Sequence, residues 1–383
     1  MKTVVHYLDS PFLNITENWI YSQIINLKNY NPIVYCHGTK NLNSFPVETI
    51  RSFDQKNRFF RIGNKIRKRI LGYNPFFDSY LKRDRPQIVH AHYGVSGYDF
   101  LSYKKRLKIP LITTFYGYDV NMLPMLDPRW RIRYQQLFLK GDLFLTEGNF
   151  MKSCLVKLGC EEKKVVVQHL GVDLERIRFE PRTYKEGEEL KILISGSFRE
   201  KKGIPYAIEA IGIFGRKHPG VKIKVTILGD SAGQPREERE KKWIFEKIRE
   251  FGLGEVVRHL GYQPHAVFVE ELYKNHIFLS PSVTSSDGDT EGGAPVSIIE
   301  ASASGMPVIS TFHCDIPEVI INDQTGYLVH ERDVNSLIGK MELLLKNVSL
   351  WGKIGRAARR HIEGKYDLKK QIEAQERIYD RLI

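Results

Sequence analysis

Residues 191–203 read KILISGSFREKKG, and the order of residue types in this stretch indicates how the chain folds. A short apolar run enters a turn that contains glycine and three cations, and an amphipathic stretch follows the turn. Short β-rich runs that alternate with amphipathic stretches are typical of parallel sheets with crossover helices. The same alternation recurs in both halves of the chain, which predicts an α/β fold.

Twelve apolar runs have the composition of strands, six before and six after a polar stretch at residues 175–189. These runs are residues 3–8, 32–36, 87–92, 111–115, 143–146, 165–169, 191–195, 222–228, 257–260, 277–280, 307–310 and 327–329. The polar stretch carries Pro181 and Gly187 and lacks a periodic apolar face, as interdomain linkers do. We therefore predict one domain at residues 1–185, a second at 186–365, and a C-terminal helix at 366–383 that could return to the first domain.

The length of 383 residues suits two domains, and 42% hydrophobic with 27% charged residues is the composition of a globular chain. No run of eighteen apolar residues occurs, and the first residues turn polar before a signal-peptide core could form. This pattern predicts a cytoplasmic protein. The four cysteines show no CxxC pair and no metal-type spacing, so we expect reduced cysteines that serve in packing.

The net charge of +13 is unevenly distributed along the chain. Residues 1–185 hold 30 Lys and Arg against 16 Asp and Glu, whereas the remaining residues hold 28 against 29. Within the first half, residues 51–70 interleave large apolar residues with the cations Arg51, Lys56, Arg58, Arg61, Lys65, Arg67, Lys68 and Arg69. That mixture predicts contact with an anionic membrane surface, and an ordinary basic surface helix is the alternative.

The chain contains neither GxGxxG nor GxxxxGK[ST], which argues against a dehydrogenase and a P-loop nucleotidase. Another way to hold phosphate is present in the turn after residues 191–195, which brings Arg199 and Lys202 beside a helix start. A guanidinium and an ammonium there would offset the charge that grows on a diphosphate leaving group. The alternative is a solvated basic turn.

A second candidate segment, residues 287–309, reads DGDTEGGAPVSIIEASASGMPVI. Its small residues allow backbone amides at a helix start to approach a phosphate. Glu291 and Glu300 could each accept hydrogen bonds from sugar hydroxyls. The two segments together predict a site for a phosphorylated sugar compound in the second half of the chain.

These segments resemble the GT4-type family of retaining glycosyltransferases, which has the GT-B architecture and a Glu-x7-Glu segment in its C-terminal domain. The resemblance covers nearly the whole chain and includes further landmarks in family order, at residues 90–94, 113–119, 169–174, 228–230, 260–262 and 316–318. It implies two Rossmann-like domains that face each other across a cleft, the first binding an acceptor and the second a nucleotide sugar. Members similar to this chain act in exopolysaccharide, colanic-acid-like or lipopolysaccharide assembly.

The resemblance also implies roles for single residues of the second domain. Arg199 and Lys202 would hold the diphosphate, Glu300 the ribose hydroxyls and Glu291 the transferred sugar. The other donor-binding positions are Gly196, Gly229, Tyr262, Gln263, Gly292, Gly293, Ala294 and Pro295. The catalytic set would be Arg199, Lys202, Glu291 and His92.

Two departures from the family pattern concern this donor site. Eight residues rather than seven separate Glu291 from Glu300. Ser197 stands where the family arginine usually lies, so Arg199 would replace that arginine on the same face of a continued strand.

On the acceptor side, Tyr116 stands where many relatives have histidine, which leaves His92 as the imidazole near the acceptor. A structural, hydrogen-bonding histidine is the alternative. Thr16 is expected to cap a helix at residues 17–27, and an ordinary capped helix explains the same residues. The residues assigned to the acceptor or membrane face are Thr16, Glu17, Tyr116, Asp119, Arg58, Arg61, Arg67 and Lys68.

The triplet Asp287-Gly288-Asp289 resembles a metal-binding DxD motif of another glycosyltransferase architecture. Because Arg199 and Lys202 supply counter-charge, we expect no metal and no cofactor, and a solvated acidic loop at this triplet. The expected partners are a UDP- or GDP-linked hexose, a lipid-linked saccharide acceptor and an anionic membrane, without nucleic acid. A GT-B-type sugar-nucleotide epimerase and a basic nucleic-acid-binding protein are the alternative functions.

Overall fold

The computed structural model describes residues 1–54 and 56–383, with the side chain of Lys65 outside the described part. The described residues divide into two compact units. Unit 1 comprises Met1–Gly171 and Leu368–Ile383, and unit 2 comprises Val172–Asp367. Each unit is a parallel sheet with crossover helices, as in Rossmann-like domains.

Among the described residues, seven parallel strands form the sheet of unit 1. They are β1 (Lys2–Phe12), β2 (Tyr30–Thr39), β3 (Ile50–Ser52), β4 (Ile88–His92), β5 (Leu111–Thr114), β6 (Leu143–Thr146) and β7 (Val165–Val167). Their order across the sheet is β3-β2-β1-β4-β5-β6-β7. The chain therefore runs outward from β1 to β3, returns beside β1 as β4, and continues in the opposite direction. The sequence predicted all of these strands except β3, which has only three residues.

Helices cover both faces of this sheet. They are α1 (Asn18–Ile25), α2 (Arg58–Leu71), α3 (Pro75–Asp84), α4 (Gly94–Leu107), α5 (Leu123–Leu126), α6 (Arg129–Lys140), α7 (Asn149–Lys157) and, at the C-terminus, α15 (Leu368–Asp380). Neighbouring strand residues point to opposite faces. Tyr7 and Phe144 accordingly join an aromatic core on one face, whereas Val4 and Leu145 pack on the other face with Tyr379 of α15.

Unit 2, which is described throughout, has six parallel strands in its sheet. They are β8 (Leu190–Ser195), β9 (Ile223–Leu228), β10 (Val257–His259), β11 (Ile277–Ser280), β12 (Val308–Thr311) and β13 (Tyr327–Val329), in the order β10-β9-β8-β11-β12-β13. Its helices are α8 (Ile204–Lys217), α9 (Pro235–Glu250), α10 (His265–Lys274), α11 (Val296–Ser304), α12 (Ile316–Val319), α13 (Val334–Lys346) and α14 (Ser349–Lys365). Each strand lies within one residue of its predicted bounds.

Residues 172–185 belong to unit 2, whereas the sequence placed the domain boundary after residue 185. The buried Arg182 guanidinium donates to the carbonyl oxygens of Leu272 and Asn275 at 2.6 and 3.2 Å. The Glu180 amide donates to the carbonyl oxygen of Ser304 at 3.0 Å. Polar groups in this stretch thus satisfy backbone groups of unit 2, and for that reason its composition resembles that of a solvent-exposed linker.

No helix in the described part of the chain is both long and apolar enough to cross a membrane. No disulfide joins the four cysteines, of which Cys36 and Cys160 are buried. Burial raises the pKa of the Cys36 thiol to about 11, so this thiol stays protonated at neutral pH.

Candidate active site

The turn after β8 carries the cations of the first candidate segment. The sequence suggested that the strand continues to Arg199, but β8 ends at Ser195. A single 3₁₀ turn at Glu200–Lys202 follows. Gly203 then adopts a φ of +61°, and a Cβ at this position would lie 1.9 Å from the carbonyl oxygen of Pro281. Only glycine fits there, and Gly203 thereby fixes the path of the cationic turn.

Two predicted donor positions, Gly196 and Gly229, bring neighbouring strand ends together. The Gly229 amide donates to the carbonyl oxygen of Gly261 at 2.9 Å, and the Gly196 amide donates to that of Leu228 at 3.0 Å. A Cβ on Gly229, whose φ is +131°, would lie 1.9 Å from the carbonyl oxygen of Gly196. These glycines therefore shape the carboxyl edge of the sheet, where α/β domains bind ligands.

A charged cluster joins this turn to the loop before α11, and it consists of Arg199, Lys201, Lys202, Asp289 and Glu291. Arg199 Nη2 lies 2.6 Å from one carboxylate oxygen of Asp289, and Lys201 Nζ lies 3.3 Å from the other. Lys202 Nζ lies 2.8 Å from the Glu291 carboxylate. Two sequence segments about ninety residues apart thus meet through three cations and two carboxylates.

The structure corrects the solvated acidic loop that the sequence predicted. Asp287 is exposed, but Asp289 is only 2% exposed and is neutralised by its cationic partners. Lys201, which the sequence passed over, is also buried. Burial lowers the pKa of the Lys201 ammonium, and the charges of Glu291 and Asp289 oppose that effect.

A fourth cation, Arg236 of α9, approaches the same loop. Its Nη1 lies 3.7 Å from the Asp287 carboxylate and 4.0 Å from that of Asp289. The Nε atoms of Arg199 and Arg236 are buried and have no hydrogen-bond partner among the described residues. Buried guanidinium donors that lack protein partners are suited to an anionic ligand such as a phosphate.

Glu291 is held as a carboxylate. Its side chain is 5% exposed and accepts from Lys202 Nζ and from Ser282 Oγ, each at 2.8 Å. Although burial raises the pKa of Glu291, the charges of Lys202 and Lys201 outweigh burial and hold it at about 2. The group is therefore an acceptor, and not a proton donor, across the physiological pH range.

His313 fixes the backbone at Glu291, a role that the sequence did not reveal. The Glu291 amide donates to His313 Nε2 at 3.1 Å, so the ring proton belongs on Nδ1, which donates to the Glu331 carboxylate at 2.6 Å. His313 is buried. No local pattern connects this histidine with Glu291 and Glu331, because they lie 22 and 18 residues away along the chain.

Glu300 lies in α11 and is 6% exposed. Its carboxylate lies 2.6 Å from His265 Nε2, at the start of α10. Burial lowers the pKa of His265, but the hydrogen bond and the charge of Glu300 raise it above its ordinary value. The imidazole thus orients this carboxylate, and the sequence did not identify it.

The remaining donor positions surround these groups. Tyr262 is 38% exposed, and Gln263 Nε2 donates to the carbonyl oxygen of Leu260 at 2.6 Å. Pro295 stands at the N-cap of α11 and has no amide to donate. Gly292, Gly293 and Ala294 directly precede it, and the Gly292 amide donates to the Thr290 hydroxyl at 3.2 Å.

In unit 1, His92 does not have the environment of a catalytic base. The ring is fully buried, its Nε2 lies 2.9 Å from His6 Nδ1, and its Nδ1 lies 2.7 Å from the Tyr116 hydroxyl. Burial lowers the pKa of His92 well below its ordinary value, and His90 and His6 lower it further. These contacts favour the structural alternative over the catalytic assignment.

His6, His90 and His92 bring ring nitrogens within 4.8 Å of one another, the spacing of a metal-ligand group. The ring of His92 stacks on both His6 and His90. Both nitrogens of His90 already bond hydroxyls, those of Tyr379 and Thr114, at 2.6 Å. Because imidazole lone pairs lie in the ring plane, stacked rings do not direct them at one ion, and this group is better suited to holding the strands together.

Tyr116 and Asp119, assigned to the acceptor face, are both buried. The Asp119 carboxylate accepts from the amides of Gly94 and Tyr116 at 2.7 and 3.0 Å. Burial raises the pKa of Asp119 to about 6, although the hydrogen bonds from these amides lower it. Asp119 thus secures the start of α4, a structural task that its place in the sequence did not reveal.

The helix cap predicted at Thr16 is wrong. α1 begins at Asn18, and Glu17 occupies the N-cap position without a side-chain capping bond. The Glu17 carboxylate instead accepts from the Asn14 amide at 2.7 Å and from the Tyr93 hydroxyl at 2.9 Å. Glu17 therefore ties the loop after β1 to the turn after β4.

Comparison with known proteins places these features in a family. Residues 175–361 match the model of Glycosyl transferases group 1, and residues 27–176 match that of Glycosyltransferase Family 4. The chain is 35% identical over 260 residues to WcaL of Escherichia coli K12, named as a glycosyltransferase of colanic acid biosynthesis, across 67% of this chain and 61% of that protein. The chain belongs to the family 4 glycosyltransferases.

A second relative agrees with that membership. The chain is 31% identical over 250 residues to the amylovoran biosynthesis glycosyltransferase AmsK of Erwinia amylovora, across 65% of this chain and 58% of the relative. The chain thus spans about three fifths of the length of the curated relatives that it matches. HepE of Anabaena, crystallised with UDP and glucose, aligns over 100% of both chains with a TM-score of 0.77 and 13% identity, which shows the GT-B fold alone.

Helix α2 of unit 1 carries a second surface with an unusual distribution of residues. Helix α2 buries Asn64, which bonds Asn74, and leaves an apolar stripe in water, with Phe59 86%, Ile66 57% and Ile70 77% exposed. The cations around the stripe include Arg58, Arg61, Arg67 and Arg69. Lys68, which the sequence grouped with them, instead pairs with Asp99 at 2.8 Å.

Proposed function

We propose that the chain transfers a hexosyl group from a UDP- or GDP-linked sugar to a saccharide acceptor during surface polysaccharide synthesis. The charged cluster and the neighbouring Arg236 carry this proposal, because Arg199 and Arg236 each bring a buried Nε donor without a hydrogen-bond partner among the described residues to the carboxylates at the carboxyl edge of the sheet of unit 2. Guanidinium and ammonium groups match a diphosphate, and ionised carboxylates match sugar hydroxyls. The names of the colanic acid and amylovoran relatives support the polysaccharide assignment.

In this proposal each group acts through position and charge. Arg199 and Lys202 stabilise the charge that develops on the departing diphosphate. Glu291, ionised and linked to Lys202, holds a hydroxyl of the transferred sugar, and Glu300 holds the ribose. The acceptor hydroxyl attacks the anomeric carbon from the side of the leaving group, which retains the configuration, and the departing phosphate takes the proton of that hydroxyl. This route requires no carboxylate nucleophile from the protein.

Turnover is the direct test, and we expect it to persist in excess EDTA. The reason is that Arg199, Lys202 and Arg236 supply the neutralising charge that a divalent cation gives in other nucleotide-sugar enzymes. The measurement is release of UDP or GDP from a panel of nucleotide sugars, with the anomeric configuration of the product read by NMR. If EDTA removes the activity and Mg²⁺ or Mn²⁺ restores it, the neutralising charge comes instead from a metal ion, for which Asp287 and Asp289 are the candidate ligands.

We further propose that the acceptor is lipid-linked and that α2 docks unit 1 on the inner face of the cytoplasmic membrane. An exposed apolar stripe flanked by cations is the pattern of helices that lie in a membrane interface. Residues 58–71 contain six Lys and Arg and no Asp or Glu, which is complementary to an anionic bilayer. Lys68 is left out of this surface because of its ion pair with Asp99.

Replacing Arg58, Arg61 and Arg67 with serine is expected to weaken binding to anionic vesicles roughly 100-fold. The estimate assumes about 1 kcal/mol for each cation near an anionic surface. Sedimentation with phosphatidylglycerol vesicles measures binding, and transfer to a short soluble acceptor should be unaffected. The matched control replaces the exposed lysines 217, 222 and 224 of unit 2 with serine. Equal vesicle binding by the two triple variants would show that α2 is an ordinary basic helix.

A further inference from the structure

The sheet of unit 1 has one position where its topology favours a ligand. The chain reverses its direction of travel across the sheet between β1 and β4, and α/β domains bind ligands beyond the carboxyl ends of the strands at such a point. β1 pairs with β4 only as far as Tyr7 and Ala91. Beyond that pair, β1 continues to Phe12 and pairs only with β2.

Asp9 lies at an irregularity in this continuing part of β1. The register between β1 and β2 shifts between Leu8 and Pro11. The Asp9 amide donates to the Ser96 hydroxyl of α4 at 2.9 Å instead of joining the ladder. Bulges of this kind re-aim side chains and are common beside active sites. Here the irregularity places Asp9 just beyond the point where the pairing of β1 with β4 ends.

Three other elements converge on Asp9. Its carboxylate lies 3.2 Å from Nε2 of His37 on β2, and a second carboxylate, Asp99 of α4, completes a group whose ligand atoms lie within 4.8 Å of one another. Asp99 is already engaged, since it accepts from the Tyr7 hydroxyl and from Lys68 Nζ. The side chains of Asp9, His37 and Asp99 are 24%, 26% and 18% exposed, so the group is largely withdrawn from water but still reachable.

Asp9 and His37 retain hydrogen-bonding capacity that the protein does not use. His37 Nε2 lies 3.2 Å from the Asp9 carboxylate, but this buried nitrogen has no hydrogen-bond partner among the described residues. Burial raises the pKa of Asp9 to about 7, the Asp99 charge adds to that effect, and Lys68 opposes it. A ligand that donates to the carboxylate and also meets the imidazole would therefore satisfy both groups.

The chemistry of the group selects the ligand. A phosphate is disfavoured because the carboxylates of Asp9 and Asp99 would repel it. A metal ion is disfavoured because the Lys68 ammonium lies beside Asp99 and would repel it. A sugar hydroxyl is neutral, and it donates and accepts at once. We infer that Asp9 and His37 form a subsite for the hydroxyls of the saccharide acceptor, next to the ion pair of Asp99 and Lys68. The inference rests on the proposed transfer reaction and names the acceptor side of that reaction.

The test compares Asp9→Asn and His37→Phe with the wild-type chain. Phenylalanine keeps the stacking of residue 37 on Phe77 while removing its nitrogens. The matched control is Glu48→Gln, an exposed acid in the loop between β2 and β3. Binding of octyl glucoside, octyl galactoside and octyl mannoside, each below its micelle concentration, is measured by saturation-transfer NMR. Binding of UDP and GDP is measured on the same samples by thermal shift, which also reports folding.

We expect at least one octyl glycoside to bind the wild-type chain and Glu48→Gln equally. Affinity should fall about tenfold in Asp9→Asn and in His37→Phe, with unchanged nucleotide binding, because the first variant replaces a carboxylate acceptor with a neutral amide and the second removes the imidazole hydrogen bond. Unchanged glycoside binding in the two variants would overturn the inference, and so would a wild-type chain that binds nucleotide but none of the glycosides. A folded wild-type chain that binds neither UDP nor GDP would instead contradict the proposed function.

Discussion

Alanine at Lys202 is expected to lower kcat/KM for the nucleotide sugar about 10³-fold, the scale seen when a preorganised group that stabilises a leaving anion is removed. Lys202 Nζ has two tasks in the proposed site, since it would neutralise the diphosphate and it already anchors Glu291 at 2.8 Å. Glu300→Ala should produce a loss of similar size, because a buried carboxylate that accepts from ribose hydroxyls would be missing. Nucleotide release from the donor measures both losses.

Lys217→Ala is the matched control for Lys202→Ala, since Lys217 is an exposed lysine at the far end of α8. Circular dichroism and thermal unfolding should show that the two site variants remain folded. Removing Lys202 leaves Glu291 with Lys201 as its remaining cation, so a modest fall in the free energy of unfolding is expected as well. A folded variant that keeps the wild-type rate would place that residue outside the active site.

Tyr379→Ala should destabilise unit 1 by about 3–5 kcal/mol, the usual cost of removing a fully buried aromatic side chain. Tyr379 is 0% exposed, it packs edge-on against Tyr30, and its hydroxyl lies 2.6 Å from both His90 Nδ1 and Gln375 Nε2. The substitution therefore opens a cavity under the sheet and also leaves polar groups unpaired. Urea unfolding followed by fluorescence measures the change.

The control on the same helix is Arg377→Ala, because Arg377 is exposed. Saturating UDP or GDP should raise the unfolding midpoint of unit 2, where the donor is proposed to bind, which separates its transition from that of unit 1. A fall in the midpoint of unit 2 alone in Tyr379→Ala would contradict the packing of α15 against unit 1.

The strands could be predicted from the sequence because each is a short apolar run between turn residues, and such runs report burial directly. β3 escaped detection since three residues are too few to show a pattern. The identity of the buried lysine could not be predicted in the same way. Lys201 and Lys202 are adjacent and chemically identical, and only the 3₁₀ turn before Gly203 decides which faces Asp289 and which faces Glu291.

The supporting histidines were missed for a different reason. His265 and His313 contact Glu300 and the backbone of Glu291, but they lie 35 and 22 residues from these partners along the chain. No periodicity or spacing rule connects residues so far apart, so tertiary contact alone reveals them. For His92 the sequence left a catalytic and a structural role open, and the buried partners on both of its nitrogens favour the structural one.

The return of α15 to unit 1 has a consequence for synthesis on the ribosome. Residues 1–171 emerge before residues 172–383, but one face of their sheet lacks the apolar cover of α15 until Ile378 and Tyr379 have been translated. The intervening residues 172–367 form a contiguous unit that can fold while the earlier segment waits. At roughly 5–20 residues per second, about 200 residues correspond to a delay on the order of 10–40 s. The sheet that is translated before unit 2 is thus completed after it, and through that interval one of its faces exposes apolar side chains to the chaperones that bind such surfaces.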